Sequence, residues 1–226
     1  PELVDVARRA GAHYARFVED AFVHGAPEDV HTAPTSEDGY NALIAYLRLH
    51  EASPDPAWLR LARLSADWML TFRWTYNVEF GRHTIMRHYD FRTRGADNAS
   101  PPNQHLHAYG LIALEELVAL WRLTGDRYYL DRARDNLACF LQMIARDDGD
   151  FNARRGMVTE RYYHTDCFGP KGSLLTLSHT WCAGVTLLGS LVALDDPQAF
   201  QAVDARGAID HRRGIALRAH AAATAG

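Results

Sequence analysis

Basic blocks are missing from this chain of 226 residues: its arginines are scattered and its formal net charge is -4. Nucleic-acid binding needs clustered Lys and Arg, so nucleic acid is not an expected partner. Cysteine is scarce. Cys139, Cys167 and Cys182 are odd in number and far apart. A disulfide framework is therefore not expected, and no metal-type pair spacing exists among them. Unpaired thiols of this kind suit a reducing compartment. No run of eighteen apolar residues occurs, so no membrane span is expected. The opening PELVDVARR has neither the pattern of a signal peptide nor an initiator methionine.

What is present is a chain 47% hydrophobic, enough for one large domain with a sizeable core. The stretch from Asn98 to Asp126 organises it. Ser100 before Pro101 is a helix-start signature, a capping hydroxyl followed by a residue that needs no N–H. From Tyr109, Leu111, Ile112, Leu114, Leu117, Val118, Leu120 and Trp121 follow helical spacing. Only Glu115, Glu116 and Arg122 interrupt, so burial around most of the circumference is expected. Thr124-Gly125-Asp126 closes this helix, and a second begins at once.

The same unit recurs. Segments starting at Tyr40, Tyr109 and Trp181 lie 69 and 72 residues apart. Each first helix ends in a turn of Pro, Gly and Asp. Each second helix carries Ala-Arg, at Ala62-Arg63, Ala133-Arg134 and Ala205-Arg206. The opening helix carries it too, at Ala7-Arg8, and reads as a second helix without its first. The expected organisation is one domain over residues 1–209, incomplete at its N-terminus, followed by a weakly ordered alanine-rich tail over 210–226.

Long connections over 24–36, 77–103 and 147–178 each lead from a second helix back to a first one. They must share one end of the assembly, and loops of such length usually carry function. TIMRHYDFRTRG (84–95) and GMVTERYYHTDCFG (156–169) read as β-like insertions within them.

Hairpins with an apolar inner helix, an amphipathic outer helix and a turn such as Thr124-Gly125-Asp126-Arg127-Tyr128-Tyr129-Leu130 resemble the six-hairpin glycosidase superfamily. The resemblance runs from about Leu3 to Ile209 and is architectural. It implies an all-α fold of helical hairpins arranged as an (α/α) toroid or part of one. A full toroid has six hairpins, of which three and a half are legible. It also implies a carbohydrate site in a funnel at the inner-helix N-termini. No cofactor is expected, and no third ligand at metal-binding spacing accompanies His105 and His107, so no metal is expected either. No complete catalytic motif of one family is matched.

At the loop end, Asp38, His107 and His179 stand two residues before the three aromatic starts. Glycoside hydrolysis needs one protonated and one ionised carboxyl group. The candidates are Asp38 or Glu37 with Asp97, and Glu160 and Asp166 stand behind them. Tyr40, Asn103, Gln104, His105, His107, His179 and Trp181 are the candidate sugar-binding residues, since aromatic rings stack on sugar faces and fixed polar groups read hydroxyls. Simpler roles compete. Thr35 to Asp38 fits a helix cap, Asp97-Asn98 fits a turn, and His105 and His107 fit polar residues beside a helix start. Trp58, Trp68, Trp74 and Trp121 are expected to be packing. Arg73, Arg82, Arg87, Arg92 and Arg94, with His83 and His88, could attract an acidic sugar or form a solvated face. The leading functional expectation is a glycoside hydrolase. A lyase or epimerase using His and Tyr, and a non-catalytic helical scaffold, are the alternatives.

Overall fold

The computed structural model describes residues 2–21, 34–101, 106–166, 170–175 and 179–202. They are mostly helical, and none of their helices is long and apolar enough to cross a membrane. A lone helix, α1 (Glu2–Glu19), precedes three hairpins: α2 (Ser36–Ala52) with α3 (Pro56–Thr71), α5 (Leu114–Thr124) with α6 (Arg127–Leu141), and α7 (His179–Asp195) with α8 (Pro197–Ala202). A short helix α4 (Ile85–His88) sits in the connection between the first two hairpins.

The hairpin turns are built alike. The Asp55 carboxylate accepts from the Ala57 N–H at 2.8 Å, Asp126 from Tyr128 at 3.0 Å, and Asp196 from Ala199 at 3.0 Å. Each outer helix thus begins under an aspartate cap, and Pro56 and Pro197 occupy first positions where no N–H is required. Gly125 closes α5 at φ 74°, a left-handed conformation that a side chain would strain.

Packing joins the hairpins into one core from Val18 to Phe200. Leu43, Leu47, Met69, Leu111, Leu114 and Leu117 are almost wholly enclosed. Polar links also run from unit to unit. Arg48 meets Glu116 at 3.4 Å, the Tyr129 hydroxyl donates to Asp67 at 3.0 Å, and Arg122 pairs with Asp196 at 2.5 Å. The lone α1 lies against both helices of the first hairpin, where the Tyr46 hydroxyl donates to the Gly11 carbonyl at 3.0 Å.

The long connections meet in a small antiparallel sheet of two-residue strands: β1 (Asp97–Asn98), β2 (Leu106–His107), β3 (Arg161–Tyr162) and β4 (Leu174–Leu175), in that order. Asp97 pairs with His107, Leu106 with Tyr162, and Tyr162 with Leu174. The sheet ties the connection before α5 to the one before α7.

Two local expectations are corrected. Ser100 and Pro101 do not begin the helix. They follow β1, and the helix begins only at Tyr109, first as a 3-10 turn (Tyr109–Ala113) and then as α5. The stretch 84–95 forms α4 and turns instead of a strand, because the Thr84 hydroxyl accepts from the Arg87 N–H at 3.2 Å and caps a helical turn. Ala205-Arg206 and the tail at 210–226 lie outside the described residues.

Candidate functional site

Chain return at the end of α3 builds the floor of the site. Arg73 bridges Asp97 in antiparallel fashion, the Trp74 N–H donates to Ala96 at 3.0 Å, and the Asn98 N–H donates to Phe72 at 2.9 Å. The Ser36 N–H, at the start of α2, donates to Ala99 at 3.0 Å. Asp97 is thereby sealed beneath the first turn of α2 and the 3-10 turn before α5, with no exposed surface.

Gly110 makes that arrangement possible. Arg73 Nη2 donates to the Gly110 carbonyl at 3.1 Å. A Cβ at Gly110 would stand 2.6 Å from Arg73 Nη2 and 2.9 Å from Asp97 Oδ2. Both charged side chains therefore use the room left by the missing side chain. Burial pushes the Asp97 carboxyl up to about 7, against the pull of Arg73 and lesser help from Ser36 and the Gly110 N–H. Among the described residues neither Asp97 oxygen closes a hydrogen bond of full geometry, and Arg73 Nε and Nη1 are likewise unpartnered. Burial also lowers the Arg73 guanidinium, which Asp97 opposes.

One residue earlier, Tyr109 links the next helix start. Its ring lies 3.7 Å, centroid to centroid, from that of Trp181 at 81°, and 3.7 Å from that of His107 at 47°. Its hydroxyl donates to Glu160 Oε1 at 3.2 Å, where Arg161 Nε also donates at 2.7 Å. Burial, then Glu160, raises the Tyr109 phenol well above the ordinary tyrosine range. Cys182, one residue after Trp181, is pushed up to about 12 by burial and Glu160. Ser36, Gly110, Tyr109 and Trp181 thus bring the starts of α2, the 3-10 turn and α7 to one place.

The candidates named from sequence divide around this point. Glu37 and Asp38 are half-buried in the first turn of α2, where the Asp38 N–H donates to the capping Thr35 hydroxyl at 3.4 Å. Trp181 is 39% exposed. His179 opens α7. Asn103, Gln104 and His105 lie outside the described residues. Three expectations of surface contact are corrected. Tyr40, Asp97 and His107 are all buried, Tyr40 within the core. His107 is a strand residue whose Nδ1 accepts from the Tyr109 N–H at 3.1 Å, which places a neutral ring's proton on Nε2. Asp166 accepts from the Lys171 N–H at 2.8 Å and shapes a turn. Arg92 and Arg94 are paired with Asp90 and Asp135, each at 3.1 Å, so they are not a free basic patch.

Glu160 was the residue behind the front rank, and the structure brings it to the centre. No local pattern marks it: Val158, Thr159, Glu160 and Tyr162 are all buried, without the alternation of a half-exposed strand. A second feature had no sequence signal. A cleft of about 600 Å3 opens beside Arg73 and Asn98. Trp68, Phe72, Trp74, Tyr76 and His164 line it, including two tryptophans expected to be packing alone. Trp74 meets His164 edge to face at 4.4 Å. Burial, then Lys171, lowers His164 to about 4.

Among the described residues no three His, Cys, Asp or Glu side chains group as a metal site. Comparison of the chain with protein-family models, curated proteins and solved structures gives no match.

Proposed function

We propose that the hairpins belong to an (α/α) toroid of the six-hairpin glycosidase kind and that the protein is a glycoside hydrolase. The observation that carries this reading is the meeting of the inner-helix starts at one end: Ser36 of α2 and Gly110 of the 3-10 turn flank Asp97, and the preceding residue, Tyr109, meets Glu160 and Trp181 of α7. Hydrolysis of a glycosidic bond canonically uses two carboxyl groups in different protonation states. Glu160, paired with Arg161 and receiving the Tyr109 hydroxyl, supplies the ionised member. Asp38 or Glu37, half-buried at the start of α2, supplies the proton donor. Trp181 offers an exposed aromatic platform. Asp97 is a buried neighbour of Arg73 and the Gly110 turn and stands beneath the site with no exposed surface to touch a ligand.

The surface of α7 supports the toroid. Leu187, Leu188, Leu191 and Leu194 are exposed on a helix whose other sides are buried, as on an inner helix that a further hairpin covers. The lyase or epimerase alternative draws less support, because burial holds the Tyr109 phenol protonated and makes it a poor base. Products formed from a defined oligosaccharide test the assignment. Saturated products at every cleavage support hydrolysis, and an unsaturated end would indicate a lyase. The scaffold reading predicts no cleavage at all.

A further inference from the structure

We infer that the cleft between the end of α3 and His164 is a binding site for an uncharged pyranose ring of a glycan chain. The inference rests on the carbohydrate reading above and names the class of sugar that reading leaves open.

The walls supply the argument. Trp68 comes from the last turn of α3, Phe72 caps that helix, and Trp74 and Tyr76 lie in the segment after it. Their contacts are edge to face: Trp68 to Phe72 at 5.5 Å and 71°, Trp74 to Tyr76 at 4.9 Å and 63°. A parallel stack spends two ring faces on each other, whereas an edge-to-face contact spends one. Ring faces are what the C–H side of a pyranose covers. The volume falls within the roughly 300–1,000 Å3 of small-ligand sites.

Polar groups around these rings are short and neutral. Thr71, Thr75 and Thr165 offer hydroxyls at the rim. The Thr71 hydroxyl donates to the Trp68 carbonyl at 2.7 Å, which leaves its lone pairs to accept. Asn98 donates through Nδ2 to the Ser100 carbonyl at 3.0 Å, while its Oδ1 has no partner among the described residues. His164 Nδ1 also has none. Sugar hydroxyls both donate and accept, so they suit such a mixture.

Charge decides the class. Arg73 is the basic residue among those that line the cleft; its Nη2 is committed to the Gly110 carbonyl, and its Nε and Nη1, which have no hydrogen-bond partner among the described residues, are buried out of reach of the cleft surface. His164 stays uncharged at neutral pH because of its burial. A uronate or sulfated sugar would enter without a counter-charge, and so would a nucleotide phosphate.

Titration of the whole protein by calorimetry and tryptophan fluorescence tests this. The probes are cellopentaose, maltopentaose, xylopentaose and mannopentaose, with pentagalacturonate as the acidic comparison. Saturable binding of at least one neutral oligosaccharide is expected. It should weaken about tenfold in Trp74→Ala and several-fold in Tyr76→Ala, and stay unchanged in Tyr128→Ala, whose ring lies on α6. Tyr76 is 60% exposed, so its truncation tests the site even where loss of Trp74 disturbs folding. Binding of pentagalacturonate alone, no binding, or equal binding in the Tyr76 and Trp74 variants overturns the inference. Failure of the hydrolase reading looks different: neutral sugars bind in the cleft and are never cleaved. Cleavage with KM unchanged in both cleft variants would retain the hydrolase and remove this site.

Discussion

Asp97 and His107 stand opposite each other in the β1–β2 pair, and both are fully buried. Directly opposed residues of an antiparallel pair leave the ladder on the same side. A carboxyl and an imidazole therefore leave the pair on one side, both without exposed surface. The carboxyl responds to that burial by rising to about 7.

That rise has a sign. A carboxyl raised in the folded state binds its proton more tightly there than in the unfolded chain. Its stabilising contribution is complete below the unfolded value of about 4 and is lost as pH climbs through about 7. Asp97→Asn removes the titration. The variant should therefore gain on the parent as pH rises from about 4 to about 7 in thermal or denaturant unfolding, and the gain should level off above that. A constant difference across that range would show that Asp97 is not held in this way.

His164 contributes with the opposite slope. Its folded value of about 4 lies below the ordinary value of 6.5, so the unfolded chain takes up the proton first. Stability should fall as pH drops from about 6.5 toward 4, and His164→Gln should flatten that fall. Unfolding midpoints measured across this window for parent and variant are the check.

At Gly110 the prediction is steric. An added methyl would press on Arg73 Nη2 at 2.6 Å and on Asp97 Oδ2 at 2.9 Å. Gly110→Ala should cost about 1–3 kcal/mol, the usual range for overpacking a filled site. Urea unfolding reads it directly. A cost near zero would mean that the two charged groups move apart without penalty.

Cys139 and Cys182 should be inert in the folded protein. Both are buried, and burial pushes each thiol up to about 12. Peptide mapping after treatment with a thiol reagent should find these two unmodified until denaturant is added. Rapid labelling of Cys182 in native buffer would place the head of α7 in solvent.

Much of the helical framework was legible from residue order. Aspartate at Asp55, Asp126 and Asp196 after each inner helix is a local signal, and each residue does cap the helix that follows. The apolar run from Leu111 to Leu120 likewise encodes burial without reference to distant contacts. Ser100-Pro101 misled for a related reason. A cap motif states only what the backbone can do, and here the tertiary pairing of β1 with β2 prevailed. Exposure at the site was less legible. Tyr40 and Trp181 hold equivalent places in the repeat, yet one is 4% exposed and the other 39%, because exposure depends on what the connections cover. The meeting of Tyr109 with Glu160 spans 51 residues and has no local signature.

The central claim is that the carboxyl groups around Tyr109 cleave glycosidic bonds with water. Turnover of neutral oligosaccharides in water enriched in heavy oxygen tests it most directly. The account predicts one heavy oxygen for each bond broken, and kcat lowered by on the order of 10²–10⁴ in Glu160→Gln. Products without heavy oxygen, or full turnover by Glu160→Gln, would contradict it.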